Sequence, residues 1–281
     1  MTPLEVFAIM HAVAPFHPGE SNVSRITPAI ISNLEQIIFD RLGNWPPQWE
    51  GFHWPGYTYE HTLRVRNLAL ALGEREGADP EVVGPAALLH DICKADGREH
   101  ATIGAEVAVP ILREQGLPED LVEQVRYAIA THSGDNTTDH PAENRVLGDA
   151  DLIDANFGYV ATWRFITIRA GRESTIQDTV DQMIEWLPKK DELMSLLRSE
   201  AGLAVAQERS RAMHAWCGAI REAFNGGADT RQGLRALIEH VAGDYHRASL
   251  QAQLDALKTI VTEADAEGAW QRLAAEVEGQ F

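Results

Sequence analysis

Cysteine is almost missing from this 281-residue chain: Cys93 and Cys217 are the only two. They lie too far apart in sequence to read as a zinc knuckle and build no disulfide framework, which suits a reducing compartment. Basic residues are also scarce, 24 Lys and Arg against 42 Asp and Glu, for a formal net charge of −18. Binding to nucleic acid or to an anionic membrane needs clustered cations to displace counterions, so this balance disfavours both. It leaves room for a small phosphorylated substrate, because a bound metal ion can invert the local field of a pocket. No uninterrupted apolar run reaches the ~18 residues of a membrane span. The N-terminus lacks the basic region and apolar core of a signal peptide, so a cytoplasmic protein is expected. Alternating, strand-like segments are few. Neither a G-x-x-x-x-G-K-[ST] phosphate loop nor a G-x-G-x-x-G dinucleotide signature occurs, and no internal repeat, low-complexity tract or flexible linker stands out.

What remains is an ordinary apolar content of 44%, enough for a packed core, carried mostly at helical spacing. Pro28 opens a helix with Ile31, Leu34, Ile37, Ile38 and Leu42 on one face. Residues 43–58, rich in Pro, Gly and aromatics, read as an ordered loop, either a lip over a pocket or a packed connector. A helix follows to about residue 76. Asp79-Pro80 then starts the apolar helix EVVGPAALLHDICK. Further helices are expected over HATIGAEVAVPILREQ, over PEDLVEQVRYAIATH, and over VLGDADLIDANFGYVATWRF. Beyond residue 175 the pattern gives helices near 176–187, 190–223, 229–263 and 264–279.

Six residues invite a metal: His61, His90, Asp91, His100, His132 and Asp151. His90-Asp91 ends the run VVGPAALL, so an apolar helix delivers an imidazole and a carboxylate from its buried end. The others sit near the ends or starts of expected helices, and a bundle can converge such side chains on one interior point. Neutral imidazole nitrogen and carboxylate oxygen suit Mn, Fe, Co, Ni, Zn or Mg without a thiolate. Taken alone, each has an ordinary reading: a His in an apolar helix is usually a hydrogen-bonded core residue, and an HD dipeptide arises often by chance. His11, His17, His53, His140, His214, His240 and His246 stay in that class.

The ordered set, with EHTLRV around His61, LLHDICK around His90-Asp91 and LGDADLIDA around Asp151, resembles the H…HD…D signature of the HD superfamily of metal-dependent phosphohydrolases. The likeness runs from roughly residue 57 to 170. It implies an all-α HD-domain helical bundle over 57–172, with an N-terminal extension over 1–56 and a C-terminal helical extension over 173–281. It also implies that His61, His90, Asp91 and Asp151 bind a first divalent ion, with Asp149 the weaker candidate and Asp154 an outer or helix-capping group. HATIGAE and AIATH resemble the extra histidine segments of six-ligand members. They place His100 and His132 at a second ion bridged by Asp91; alternatively these two serve as substrate-contacting or outer groups. Where some relatives have two adjacent histidines, this chain has His132-Ser133.

The implied chemistry is hydrolysis of a phosphate ester or anhydride of a nucleotide or other small phosphorylated metabolite, using one or two divalent ions per chain. Asp91 and Lys94, in the H-D-x-x-K word, and Arg64, three residues after His61, are the expected catalytic residues. Arg64 is expected as a phosphate clamp, since its planar fork fits phosphate; an ordinary surface Lys and a structural Arg are the plainer readings. Arg164 is a further candidate for the pocket. Ser133 and Asp135 are candidates for orienting water, although loop residues of these types need no special explanation. A second class of function is a diiron oxygenase, which some six-ligand HD-fold proteins are. A third is a regulatory module that keeps the metal but has lost turnover. The C-terminal hundred residues offer a surface for self-association, although apolar periodicity there is more often core packing.

Overall fold

The computed structural model describes residues 25–43, 56–170, 175–226, 232–244 and 264–277. The loop expected over 43–58 falls largely outside this set, as does the stretch after residue 244 that was expected to continue a helix.

The fold is all-α, and no strand occurs among the described residues. Eleven α-helices are described: α1 (Pro28–Leu42), α2 (Tyr57–Glu76), α3 (Pro80–Leu89), α4 (His100–Glu114), α5 (Glu119–Thr131), α6 (Ala142–Asn156), α7 (Tyr159–Ala170), α8 (Ile176–Asp191), α9 (Glu200–Asn225), α10 (Gln232–Asp244) and α11 (Ala264–Val277). None is long and apolar enough to cross a membrane.

Local signals in the sequence fix several of these ends. Thr27 accepts from the Ile30 amide ahead of Pro28, and Asp79 accepts from the Glu81 amide ahead of Pro80. Both satisfy a free N–H of a first turn. Thr175 and Asp178 form a reciprocal capping box on α8. Gly77 ends α2 in the left-handed conformation at φ 72°, which a residue with a Cβ adopts only at a cost.

Three boundaries differ from the sequence expectation. The helix expected to run through Lys94 stops at Leu89, and residues 90–93 form a turn leading into a 3-10 segment, Lys94–Glu99. Tighter bonds take over there, Ile92 N to Leu89 O and Lys94 N to Asp91 O. The single helical stretch expected around Asp151 is two helices, split at Phe157-Gly158, where Gly158 sits at φ 101°. Glu276 of α11 receives the amides of Tyr159 and Val160 at that break. Finally, the helix expected over 190–223 is interrupted by a 3-10 turn, Glu192–Leu196, and restarts at Ser199. Asp149 causes the restart: it accepts from the Arg198 and Ser199 amides and from the Ser199 hydroxyl (2.6 Å).

The core forms where α2 packs on α3 and α6, α4 on α5, and α3 on α5. Leu68, Leu72, Leu88, Leu89, Leu121 and Trp163 are essentially fully buried. The apolar stripe of α1 contributes Leu34, Ile38 and Leu42 to this core, with Ile31 and Ile37 partly buried beside it. The later helices α8, α9, α10 and α11 pack around α6 and α7. The interior therefore closes where the start of α2, the end of α3, the start of α4 and the end of α5 bring their histidines together beside α6.

Candidate metal centre

The six expected ligands come from five places in the bundle. His61 lies in the second turn of α2, and His90-Asp91 directly follows α3. His100 opens α4, His132 follows α5, and Asp151 lies in α6. All are buried except Asp151, which is partly exposed. They converge. Asp91 Oδ2 is 3.6 Å from His90 Nε2 and 3.8 Å from His61 Nε2, and Asp151 Oδ1 is 3.0 Å from His61 Nε2 and 3.9 Å from His90 Nε2. The other oxygen, Asp91 Oδ1, is 3.3 Å from His100 Nε2 and 3.8 Å from His132 Nε2.

The two oxygens of Asp91 thus face two different groups. Ligand atoms ~2.1 Å from a shared ion at angles between ~90° and ~109° would lie ~3.0–3.4 Å apart. The observed separations are equal to this or a few tenths of an ångström longer.

The second nitrogen of each ring shows why the first is available. His90 Nδ1 donates to the Ala87 carbonyl (2.7 Å), His100 Nδ1 to the Gly97 carbonyl (2.7 Å) and His132 Nδ1 to the Ile129 carbonyl (2.6 Å). A carbonyl oxygen only accepts, so the proton of each neutral ring sits on Nδ1 and the Nε2 lone pair faces inward. His90, His100 and His132 meet their carbonyls at the same three-residue offset. His61 differs: its Nδ1 donates to Asp154 Oδ2 (2.6 Å), a carboxylate–histidine pairing of the kind that orients metal ligands.

As a result, four buried atoms of the candidate ligands have no hydrogen-bond partner among the described residues: Nε2 of His90, His100 and His132, and Oδ2 of Asp91. The 3.3 Å approach of His100 Nε2 to Asp91 Oδ1 brings together two lone-pair acceptors rather than a donor and an acceptor. Each orphaned buried acceptor costs on the order of 1–3 kcal/mol. Divalent cations, one on each side of Asp91, would relieve all four, so the donor set fits divalent metal. Two overlapping triads, His61/His90/Asp151 and His90/Asp91/His132, have ligand atoms close enough together to share an ion. The divided oxygens of Asp91 group His100 with His132 instead, and the direction each oxygen faces is the better guide.

The protonation pattern follows the same geometry. Burial pushes His90 down to about 4 despite nearby Asp91, so its ring is neutral at pH 7. His61 goes the other way: burial opposes its charge, but Tyr57, Asp151 and Asp154 outweigh burial and raise it to about 10 in the metal-free protein. Burial likewise opposes the charge of Asp91, yet His90 and Lys94 hold it well below the usual carboxylate range. Asp151 is lowered by His61 and Lys94 against its burial.

Lys94 and Arg64 play different parts. Lys94 Nζ lies 3.0 Å from Asp91 Oδ1 while the side chain remains 38% exposed, so it can turn toward a ligand at the mouth. Burial opposes its charge, but Asp91 and Asp151 keep its pKa raised. Arg64, expected as a phosphate clamp, is only 3% exposed. Its Nε and Nη2 both go to Asp154, at 2.8 and 3.0 Å. That fork is spent on the carboxylate that orients His61, leaving only Nη1 without a partner among the described residues. Asp154 stands behind His61 as the expected outer group, and Asp149 is turned away to hold the start of α9. Ser133 and Asp135 are exposed on the loop after α5.

Sequence reasoning missed Tyr57. Its ring lies parallel to His61, with centroids 5.7 Å apart and planes 6° apart. The signal was present, because Tyr57 precedes His61 by four residues on one helix and so shares its face. Arg164, a candidate from sequence, places its Cζ 5.1 Å from the centre of the same Tyr57 ring.

Over 76 residues the chain is 34% identical to Ribonuclease Y of Alkaliphilus metalliredigens, covering 27% of this chain and 15% of that protein. Over 141 residues it is 28% identical to a bifunctional uridylyltransferase/uridylyl-removing enzyme of Mycobacterium tuberculosis, covering 46% of this chain and 16% of the relative. The chain thus spans about a sixth of the length of these relatives. Among solved structures, an HD-superfamily hydrolase from Bacillus thuringiensis superposes with a TM-score of 0.53 at 22% identity, over 70% of this chain and 96% of that one. YpgQ of Bacillus subtilis gives 0.51 at 20% identity, over 72% and 98%, and has also been solved with ADP. Residues 58–156 match the HD domain, so this stretch of the chain, with α1 before it and α7 to α11 after it, is an HD domain.

Proposed function

We propose that this protein is a metal-dependent phosphohydrolase that cleaves a phosphate ester or anhydride of a nucleotide or other small phosphorylated metabolite. One observation carries the reading. Four imidazoles with their protons held outward and two carboxylates held ionised converge on a buried point that supplies no hydrogen-bond donor to several of them. His61, His90, Asp91 and Asp151 would hold a first divalent ion; His100, His132 and the second oxygen of Asp91 would hold another. Divalent ions held there supply Lewis acidity toward a phosphoryl oxygen and lower the pKa of water at the site.

The chain's own residues supply the remainder. Lys94 is cationic, sits at the mouth and is held loosely by Asp91. Leaving Asp91 for a phosphoryl oxygen would place its charge where negative charge builds up during transfer. Arg64 acts through Asp154, which fixes the ring plane and tautomer of His61. The partly exposed Asp151 marks the open side by which substrate enters. The known relatives named for nucleotidyl or RNA chemistry and the YpgQ–ADP complex make nucleotides the first substrates to try. Metal identity is not encoded in a His/Asp set, which accepts Mn, Fe, Co, Ni, Zn or Mg according to supply.

The test is phosphate release from nucleotides, sugar phosphates and phosphonates by metal-stripped protein resupplied with single metals without oxygen. Release that disappears in Asp91→Ala is expected. Release unaffected in that variant would defeat the mechanism. Silence under every metal, with two irons bound per chain and dioxygen consumed, would replace the hydrolase with the diiron oxygenase that the same six residues also suit.

A further inference from the structure

The segment that leaves α5 carries His132 and then turns through Gly134, at φ 88°, toward α6. Among the described residues the main chain of 133–136 makes no hydrogen bond to other main-chain groups. Two hydrogen bonds from side chains hold it instead. The Asn136 amide donates to the Arg145 carbonyl (3.2 Å) in the first turn of α6, and Arg198 Nε donates to the Asn136 carbonyl (2.9 Å). Arg198 lies 62 residues further along the chain, outside the stretch 58–156 that matches the HD domain.

Arg198 is itself fixed at both ends. Its main-chain N–H donates to the two oxygens of Asp149 (2.9 and 3.1 Å), two residues before Asp151 on α6. Its Nη1 donates to the Ser195 and Leu197 carbonyls (2.9 and 3.1 Å). A guanidinium already tied at these points loses little further freedom when it holds the loop, and a charged donor makes one of the stronger hydrogen bonds. The His132 main chain has little slack on its other side, since a methyl on Gly148 would come within 3.1 Å of the His132 carbonyl. The bridge Asp149–Arg198–Asn136 thus runs from the helix that carries Asp151 to the loop behind His132, the ligands on the two sides of Asp91.

We infer that Arg198 is a positioning residue for the metal centre: through the Asn136 carbonyl it fixes the loop behind His132, and with it the ring that faces Asp91 Oδ1. The inference rests on the reading of two ion positions and adds what completes the second. The start of α9, beyond the HD domain, is thereby part of the centre's support. His132 Nδ1 is bonded within its own helix, to the Ile129 carbonyl, so the tautomer does not depend on Arg198. What depends on it is where the end of α5 sits relative to His100 and Asp91. Losing a group that orients a ligand costs about 10–100-fold in metal affinity. Arg198 acts through the loop, so about tenfold is expected, at the His100/His132 position alone.

Calorimetric titration of the metal-stripped full chain with Mn tests it, beside amide hydrogen exchange of the metal-free protein. Arg198→Met and Arg198→Gln lack a donor that reaches the Asn136 carbonyl. They should bind the first ion as the wild type does and the second about tenfold more weakly. Arg198→Lys, whose ammonium can reach that carbonyl, should recover most of the loss. Amides of 133–136 should exchange about tenfold faster in Arg198→Met, with those of α2 unchanged. Ser199→Ala loosens the same helix start without touching the loop and should alter neither reading. Two ions bound at wild-type strength in Arg198→Met, or unchanged exchange at 133–136, would overturn the positioning role while the metal centre stands. Equal weakening of both ions, or the same weakening in Ser199→Ala, would show general loosening of the fold and overturn it as well. A wild type that binds one ion or none removes the second position, and the inference falls with it. Phosphate release by the wild type, measured separately, decides the hydrolase reading in each case.

Discussion

Asp154 gives the sharpest prediction, because it is not an expected ligand and yet the centre depends on it. One carboxylate accepts from His61 Nδ1 at 2.6 Å and from Arg64 Nε and Nη2 at 2.8 and 3.0 Å, all with side chains no more than 4% exposed. In Asp154→Asn the amide can still accept one of these donors, but its NH₂ then faces another donor and the charge opposite Arg64 is gone. Stripping one partner from a buried ion pair costs roughly 3–5 kcal/mol. Separately, loosening the group that orients a metal-ligating His costs 10–100-fold in metal affinity, or ~1.4–2.7 kcal/mol. The two effects can be parted. Replacing both members, Arg64→Leu with Asp154→Leu, removes the uncompensated charge, so the stability loss should shrink to the ~1–3 kcal/mol of an unsatisfied His61 N–H. Metal affinity should not recover, since nothing then holds the His61 ring. Urea unfolding of metal-free protein reads the first quantity, and competition with a chelator of known affinity reads the second. Wild-type metal affinity in Asp154→Asn would refute the orienting role. Equal instability in the single and double variants would refute the ion-pair argument.

Other outcomes follow from the same geometry. His61 has its pKa raised to about 10 in the metal-free protein, so its proton stabilises the fold below the ordinary histidine value near 6.5 and that contribution fades as pH rises through 10. A bound divalent ion takes the same Nε2, so near pH 8 metal uptake should release about one proton from this ring. Calorimetry in two buffers of different ionisation enthalpy measures this, and heat independent of buffer would contradict it. In Gly148→Ala the new methyl would lie 2.3 Å from Asn136 Nδ2 and 3.1 Å from the His132 carbonyl. Thermal denaturation should show a loss of about 1–3 kcal/mol, together with weaker occupancy of the His100/His132 side. Ser199→Ala removes both the cap on the Gly202 amide and a donor to Asp149. It should cost about 1–2 kcal/mol in the same assay and leave metal affinity unchanged, since Asp149 faces away from the centre. Lys94→Met should keep metal affinity and reduce phosphate release by about 10²-fold, on the scale of losing one charge-stabilising group.

Much of the site was legible because its residues sit in short local words. His61, His90-Asp91 and Asp151 could be read from neighbours within a turn or two, as could His100 and His132. The helical character followed from apolar spacing, and the all-α HD-domain bundle from the resemblance that those words carry. What sequence hid depends on contacts between distant segments. The break at Gly158 falls inside an unbroken apolar pattern, and the carboxylate that caps the second helix comes from Glu276, far along the chain. The restart of α9 at Ser199 likewise answers to Asp149 in α6. Arg64 was placed on the right helix face, but whether its fork met a phosphate or a carboxylate depended on Asp154, ninety residues away.

The most direct test of the central claim is a calorimetric titration of metal-stripped protein with Mn, run beside Asp91→Ala and His132→Ala. If the two oxygens of Asp91 face two ion positions, the wild type should take up two ions per chain and His132→Ala one at full strength. Asp91→Ala should then hold neither tightly. A wild-type chain that binds no divalent ion, or an Asp91→Ala variant that binds as the wild type does, would contradict the account.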